Sequence, residues 1–343
     1  MPLSLEHNPS GIADRVLSVL RCLDCQERLD CDTGGLICAG CGRRYPVENG
    51  VVRFDDQQQY AGSFGFQWKI YARTQLDTAE CNRSELAFRR RTGFAPQDLA
   101  GKLVLDAGCG MGRFAEIATR WGACVVGVDL SRAAEVAARN LRERDATILQ
   151  ADVLRLPFVA GSFDFIYSIG VLHHTPDCER AFKALPRLLK PGGQIAVWLY
   201  SGYNPWYRMS DFYRKVTRQL PPSLLHFACH GVVPLYAVHQ ALKKVPSVGK
   251  RASSALAYAL PMSFHPEREW RVLDTFDWYS PWYQSKHTYE EVFRWFEDCG
   301  LEDLRVMEQP IAVRGRRPAG SVAERHRRRS QAESVDVVSD SSR

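Results

Sequence analysis

Residues 104–114, Val-Leu-Asp-Ala-Gly-Cys-Gly-Met-Gly-Arg-Phe, constrain this chain more than any other stretch. An apolar run enters Asp106, and Gly108, Gly110 and Gly112 then alternate before the sequence turns polar and helical. Alternate glycines after a buried strand let the backbone turn sharply and leave no side chain between main chain and ligand. Strand, bare turn and helix together make a nucleotide-type cradle. The spacing departs from the dinucleotide fingerprint Gly-x-Gly-x-x-Gly, because Arg113 stands where its third glycine belongs.

The segments that follow keep a strand–helix alternation. Cys124-Val-Val-Gly-Val-Asp129 reads as a second buried strand ending in an acid, 17 residues after Gly112. Gln150-Ala-Asp152 places another acid after a third strand, Ser162–His174 reads as a fourth strand with its exit loop, and Leu188–Tyr200 as a turn and fifth strand. In this order, across residues 100–200, the motifs resemble those of the class I S-adenosylmethionine-dependent methyltransferases, in the type 11 methyltransferase-domain family. The resemblance implies an α/β fold with a doubly wound, mostly parallel seven-stranded, Rossmann-like sheet, and S-adenosyl-L-methionine as cofactor. It also implies roles. Asp106 anchors the turn and the cofactor's amino end, while Gly108, Cys109, Gly110 and Gly112 let the backbone approach. Asp129 holds the ribose with Leu130 on the adenine; Asp152 meets the adenine amine with Val153 beside it; Ile169 lies alongside. Ordinary α/β turns with chance glycines, or a NAD enzyme, are the competing readings.

Four of the eleven cysteines form a second pattern. Cys22-Leu-Asp-Cys25 is followed after twelve residues by Cys38-Ala-Gly-Cys41. Two such knuckles offer four thiolates to one tetrahedral zinc, a closed shell that is structural and not catalytic. The pattern resembles the zinc ribbons joined to bacterial methyltransferases and the small zinc-ribbon activator proteins of related enzymes. Two disulfides, or a ribbon that has lost its metal, are the alternatives. Cys31 receives no role.

These signals divide the chain into an N-terminal extension (1–19), a zinc ribbon (20–55) and a lead-in segment (56–100). The core (101–200), an aromatic-rich helical insertion (201–287), the last helix and strands (288–315) and a disordered basic tail (316–343) complete it. In the lead-in, Phe64, Phe66 and Trp68 either cover the cofactor or pack the segment on the core. The net charge of +6 equals that of seven arginines and one glutamate between Arg314 and Arg329, which leaves a nearly neutral body and little reason to expect a phosphate-rich substrate. No basic start followed by an apolar run opens the sequence, and the apolar stretch Leu224–Leu242 is broken by histidines, Gly231 and Pro234. The expected location is cytoplasmic, with no stable membrane span.

The insertion leaves after the fifth strand, on the side where ligands sit in doubly wound folds, so it is expected to roof an acceptor pocket. A dimer surface or an added structural subdomain is the other reading. His173 and His174 are candidate general bases for a hydroxyl acceptor, with His287 a further candidate; packing or helix capping is the alternative role. The leading functional expectation is methyl transfer to a small-molecule acceptor, such as a phenolic, sugar or lipid-linked hydroxyl. RNA methylation through the ribbon is less favoured, and a non-catalytic cofactor-binding scaffold is the third reading.

Overall fold

Sheet formation begins in the cysteine-rich segment and never breaks off. A computed structural model describes residues 12–55, 60–203 and 207–320. A short helix, α1 (Asp14–Leu17), precedes β1 (Leu29–Asp32), β2 (Gly35–Cys38), β3 (Arg44–Glu48) and β4 (Val51–Arg53). The first four strands pair antiparallel in succession. Val51 and Val52 of β4 are both buried, as an interior strand requires, and β4 joins the central sheet in parallel, Val51 opposite Ile148.

Three helices follow: α2 (Gly62–Ile70), α3 (Arg83–Thr92) and α4 (Pro96–Leu99). The core then alternates β5 (Leu103–Ala107), α5 (Arg113–Arg120), β6 (Cys124–Asp129), α6 (Ala133–Asn140), β7 (Ala146–Gln150), β8 (Phe163–Ile169), α7 (Cys178–Lys183) and β9 (Leu189–Trp198). All five residues of β5 are buried, because helices cover both faces of its sheet. The insertion supplies α8 (Tyr207–Thr217), α9 (Pro222–Cys229), α10 (Val232–Lys243), α11 (Gly249–Ala259) and α12 (Arg268–Tyr279). Its ends meet, since Ser201 bridges His287. A capping box in which Thr288 and Glu291 bond reciprocally starts α13 (Tyr289–Asp298). The antiparallel hairpin of β10 (Glu302–Val306) and β11 (Ala312–Arg316) closes the edge.

The sheet has eleven strands in the order β1-β2-β3-β4-β7-β6-β5-β8-β9-β11-β10. Its last seven strands in that order form the expected mostly parallel, Rossmann-like sheet, in which only β11 runs against the others.

Two expected boundaries move. Residues 12–19 are no extension: Ile12 and Val16 are buried in the main core, and Leu20 bridges Phe158. The basic tail does not begin at 316. Arg314 and Arg316 alternate outward along β11 while Val313 and Gly315 face in, and Arg317 donates to the Arg187 carbonyl. Residues 321–343 of the expected tail, and 1–11 of the extension, lie outside the described residues. The Leu224–Leu242 stretch becomes two helices hinged at His230-Gly231, and among the described residues no helix is long and apolar enough to cross a membrane.

Candidate functional site

The glycine turn adopts backbone angles that side chains oppose. Gly108 sits at φ +91°, and a Cβ there would lie 2.2 Å from Val171 Cγ1. Gly110, at φ +53°, has the Trp68 indole nitrogen 3.3 Å from where its Cβ would be. The N–H groups of Gly108 and Cys109 donate to the Val128 carbonyl at 2.7 and 2.9 Å, which ties the turn to β6. At the end of β6, Asp129 accepts from the Gly110 N–H through Oδ2 (2.9 Å) and from the Ser131 N–H and hydroxyl through Oδ1 (2.8 and 2.7 Å). Burial raises the Asp129 pKa, and these three donors oppose the rise by favouring the carboxylate.

A cavity of about 520 Å³ opens over this turn. Gly108, Cys109, Gly110, Asp129, Leu130, Val153 and Ile169 line one end. Phe64 and Trp68 of α2 line the side, and Trp270, Asp274 and Asp277 of α12 face them with Tyr200 and His174. Phe66 points elsewhere, into the core of the insertion against Phe276.

Four expected site residues are not brought to this cavity. The Asp106 carboxyl is buried beneath the turn, where desolvation pushes its pKa up to about 8, and its Oδ2 has no partner. Gly112 (φ +89°) packs toward Leu141 and starts α5. Asp152 turns back on its own loop, accepting from the Leu154 N–H at 2.9 Å and from the Tyr60 hydroxyl at 3.4 Å. His173 is wholly buried and stacked on Tyr200 at 4.0 Å, with no hydrogen-bond partner for either ring nitrogen. It has no path to an acceptor.

His174 is placed differently. It lines the cavity, and its Nδ1 lies 2.9 Å from the Tyr283 carbonyl, a contact that requires Nδ1–H as donor and leaves Nε2 with a lone pair. Burial lowers its pKa and holds the ring neutral. His287 lies outside the cavity, bonded to Ser285 at 2.7 Å.

Several lining groups were not singled out from the sequence. The Tyr200 hydroxyl donates to Asp277 Oδ2 at 2.7 Å, and burial pushes the Asp274 pKa up to about 6. Arg91 reaches in from α3 and lies over Trp198 at 4.2 Å; Arg113 donates to Ser84 at 2.8 Å and Gln75 at 3.1 Å. Burial lowers their pKa values to about 10 and about 9, so both stay cationic at neutral pH, and neither has a carboxylate within ion-pair distance among the described residues. The one signal of this in the sequence was the pair Asp274 and Asp277, one helical turn apart amid the apolar residues of α12.

The cysteine cluster lies at the other end of the sheet. The sulfurs of Cys22, Cys25, Cys38 and Cys41 all fall within 4.8 Å of one another, with Cys22–Cys41 at 3.6 Å and Cys25–Cys38 at 3.3 Å. Four sulfurs about 2.3 Å from one tetrahedral ion would stand about 3.8 Å apart, so the set fits a zinc shell. All four are free thiols, which sets aside the two-disulfide alternative in this structure.

Residues 105–197 match the family described as methyltransferase domain, and residues 14–50 match that described as Trm112p-like protein. The chain carries a methyltransferase domain. The sterol 24-C-methyltransferase of Schizosaccharomyces pombe is 28% identical over 149 residues, covering 42% of this chain and 38% of that protein. The ubiquinone biosynthesis O-methyltransferase of Coxiella burnetii is 38% identical over 100 residues, covering 28% of this chain and 43% of that one. The chain thus spans less than half the length of each. Among solved structures, phosphoethanolamine N-methyltransferase 2 of Haemonchus contortus, in complex with phosphomonomethylethanolamine and S-adenosylhomocysteine, is 18% identical with a TM-score of 0.42. That match covers 77% of this chain and 47% of the other.

Proposed function

We propose that this chain transfers a methyl group from S-adenosylmethionine to a small-molecule acceptor. The observation that carries this reading is that one cavity is lined by the bare turn and Asp129 at one end and by the α12 roof at the other. Its volume of about 520 Å³ is within the range of small-ligand sites.

The cofactor, when bound, supplies a methyl group already activated on a positively charged sulfur. The residues present fit it. Asp129 would take the ribose hydroxyls through the lone pairs that Gly110 and Ser131 leave free, and Leu130 and Val153 would flank the adenine. Arg91 and Arg113 are cations awaiting an anion, and the methionine carboxylate matches them in charge. Asp106 lies buried beneath the turn and Asp152 accepts from Tyr60; neither touches the ligand in this reading.

On the acceptor side, α2 and α12 exclude water, which orients the acceptor and strengthens each polar contact. His174 Nε2 is the group positioned to take a proton from an acceptor hydroxyl, with Nδ1–H held by the Tyr283 carbonyl. The four cysteines would hold a structural zinc that stabilises β1–β4 and, through the β4–β7 pairing, the edge of the core sheet.

The test is to incubate the full chain with methyl-labelled S-adenosylmethionine and, separately, a small-metabolite extract, a lipid extract and total RNA. Label is expected in a small-molecule or lipid fraction. Label found in RNA alone would overturn the acceptor assignment.

A further inference from the structure

The outer surface of the insertion is both apolar and basic, an unusual combination for a face left to water. Ten of the sixteen exposed large hydrophobic side chains among the described residues lie within residues 207–264. They include Phe227 at 75% exposure, Val216 at 67%, Val248 at 64% and Phe212 at 62%. The same segment exposes Lys215, Lys243, Lys244, Lys250 and Arg251, while its single acid, Asp211, is already engaged by Arg214 and Lys286.

These side chains point away from the site. The inner residues Leu225, Cys229 and Val232 pack against Val272, Leu273 and Phe276 of α12, whose other face turns Asp274 and Asp277 to the cavity. Leu224 and Phe227 therefore share the outward face of α9, as Phe212 and Val216 share that of α8. Lys243, Lys244 and Lys250 flank the exposed Val245 and Val248 where α10 passes to α11.

We propose that this face docks on the surface of an anionic phospholipid bilayer. Charge decides the occupant. A second copy of the chain on a two-fold axis would bring these five exposed cations against their own copies. RNA would answer the cations but leave the valines and leucines in water. Lipid headgroups meet the lysines and arginines while the acyl boundary takes the apolar side chains, the arrangement of helices that lie in an interface. Among the described residues no helix is long and apolar enough to cross a membrane. The docking does not depend on which acceptor is methylated.

Flotation of the full chain with phosphatidylcholine vesicles, with or without phosphatidylglycerol, tests this. Binding is expected only to the phosphatidylglycerol-containing vesicles and should weaken as salt rises. The double variant Leu224→Asp, Phe227→Asp should lower the bound fraction at least tenfold while retaining cofactor affinity, which shows that it still folds. Lys243→Glu with Lys244→Glu should weaken binding without touching the apolar residues. The proposal fails if anionic vesicles bind no protein or if both double variants bind as well as the parent. It fails equally if the face instead drives self-association that Phe227→Asp abolishes.

Discussion

The backbone N–H of Gly110 donates to the Asp129 carboxylate at 2.9 Å, so the glycine turn and the acid of the neighbouring strand are one unit. The turn is not a flexible loop that a ligand must organise. The three donors on Asp129 orient a carboxylate before any ligand arrives, which reduces the ordering cost of binding.

Substituting Gly108 tests how far this preorganisation depends on backbone. Ala at a φ of +91° is strained, and its Cβ would press on Val171 at 2.2 Å. Gly108→Ala should cost about 2–3 kcal/mol by denaturant unfolding. Adding Val171→Ala should restore only the steric share, leaving the dihedral strain.

His173 and His174 give stability a definite pH dependence. Burial lowers both pKa values, well below the usual imidazole value for His173. The unfolded chain gains protons near pH 6.5 while the folded one resists, so the contribution is complete above that pH and is lost as pH falls through and below it. Both groups should weaken folding as pH falls below 6.5, His173 the more strongly. Unfolding curves at pH 7.5, 6.5 and 5.5 should show His173→Leu with a shallower slope than the parent.

For catalysis the two histidines should separate. His174→Ala is expected to lower kcat by roughly 10²–10⁴ if the acceptor is a hydroxyl, with cofactor affinity kept. His173→Leu should act through stability alone. Because the His174 pKa is lowered, the acidic limb of the kcat profile should fall below pH 6.5. A limb above that value contradicts a neutral buried base.

Removing one thiolate should affect more than the ribbon. Cys38→Ser is expected to take the protein from one bound zinc per chain to none by elemental analysis. Because β4 pairs with β7, the loss should also lower the melting temperature of the core. Native protein free of zinc would contradict the reading.

Much of the core was legible because its constraints are local. Glycines at positions that need positive φ, and acids at strand ends, announce themselves by spacing, and strand–helix alternation announces a mostly parallel sheet. What stayed hidden depends on packing. Arg91 and Asp274 are separated by most of the chain and meet only when α3 and α12 close on the same cavity. β4 is three residues long, too short for periodicity to announce its parallel partner. Arg316 looked like the start of a charged tail because the inward residue between it and Arg314 is Gly315, which makes a weak alternation. Asp106 and Asp152 occupy the expected positions but aim inward or back on their own loop, an orientation that spacing does not encode.

The most direct measurement is isothermal titration of S-adenosylmethionine into the full chain and into Asp129→Ala, with circular dichroism to verify that both are folded. The parent should bind, and the variant should bind roughly 30- to 150-fold more weakly, the equivalent of about 2–3 kcal/mol for a carboxylate accepting paired hydroxyls. A parent that releases no heat at any temperature tried, or a folded variant with unchanged affinity, would contradict the placement of the cofactor over this turn.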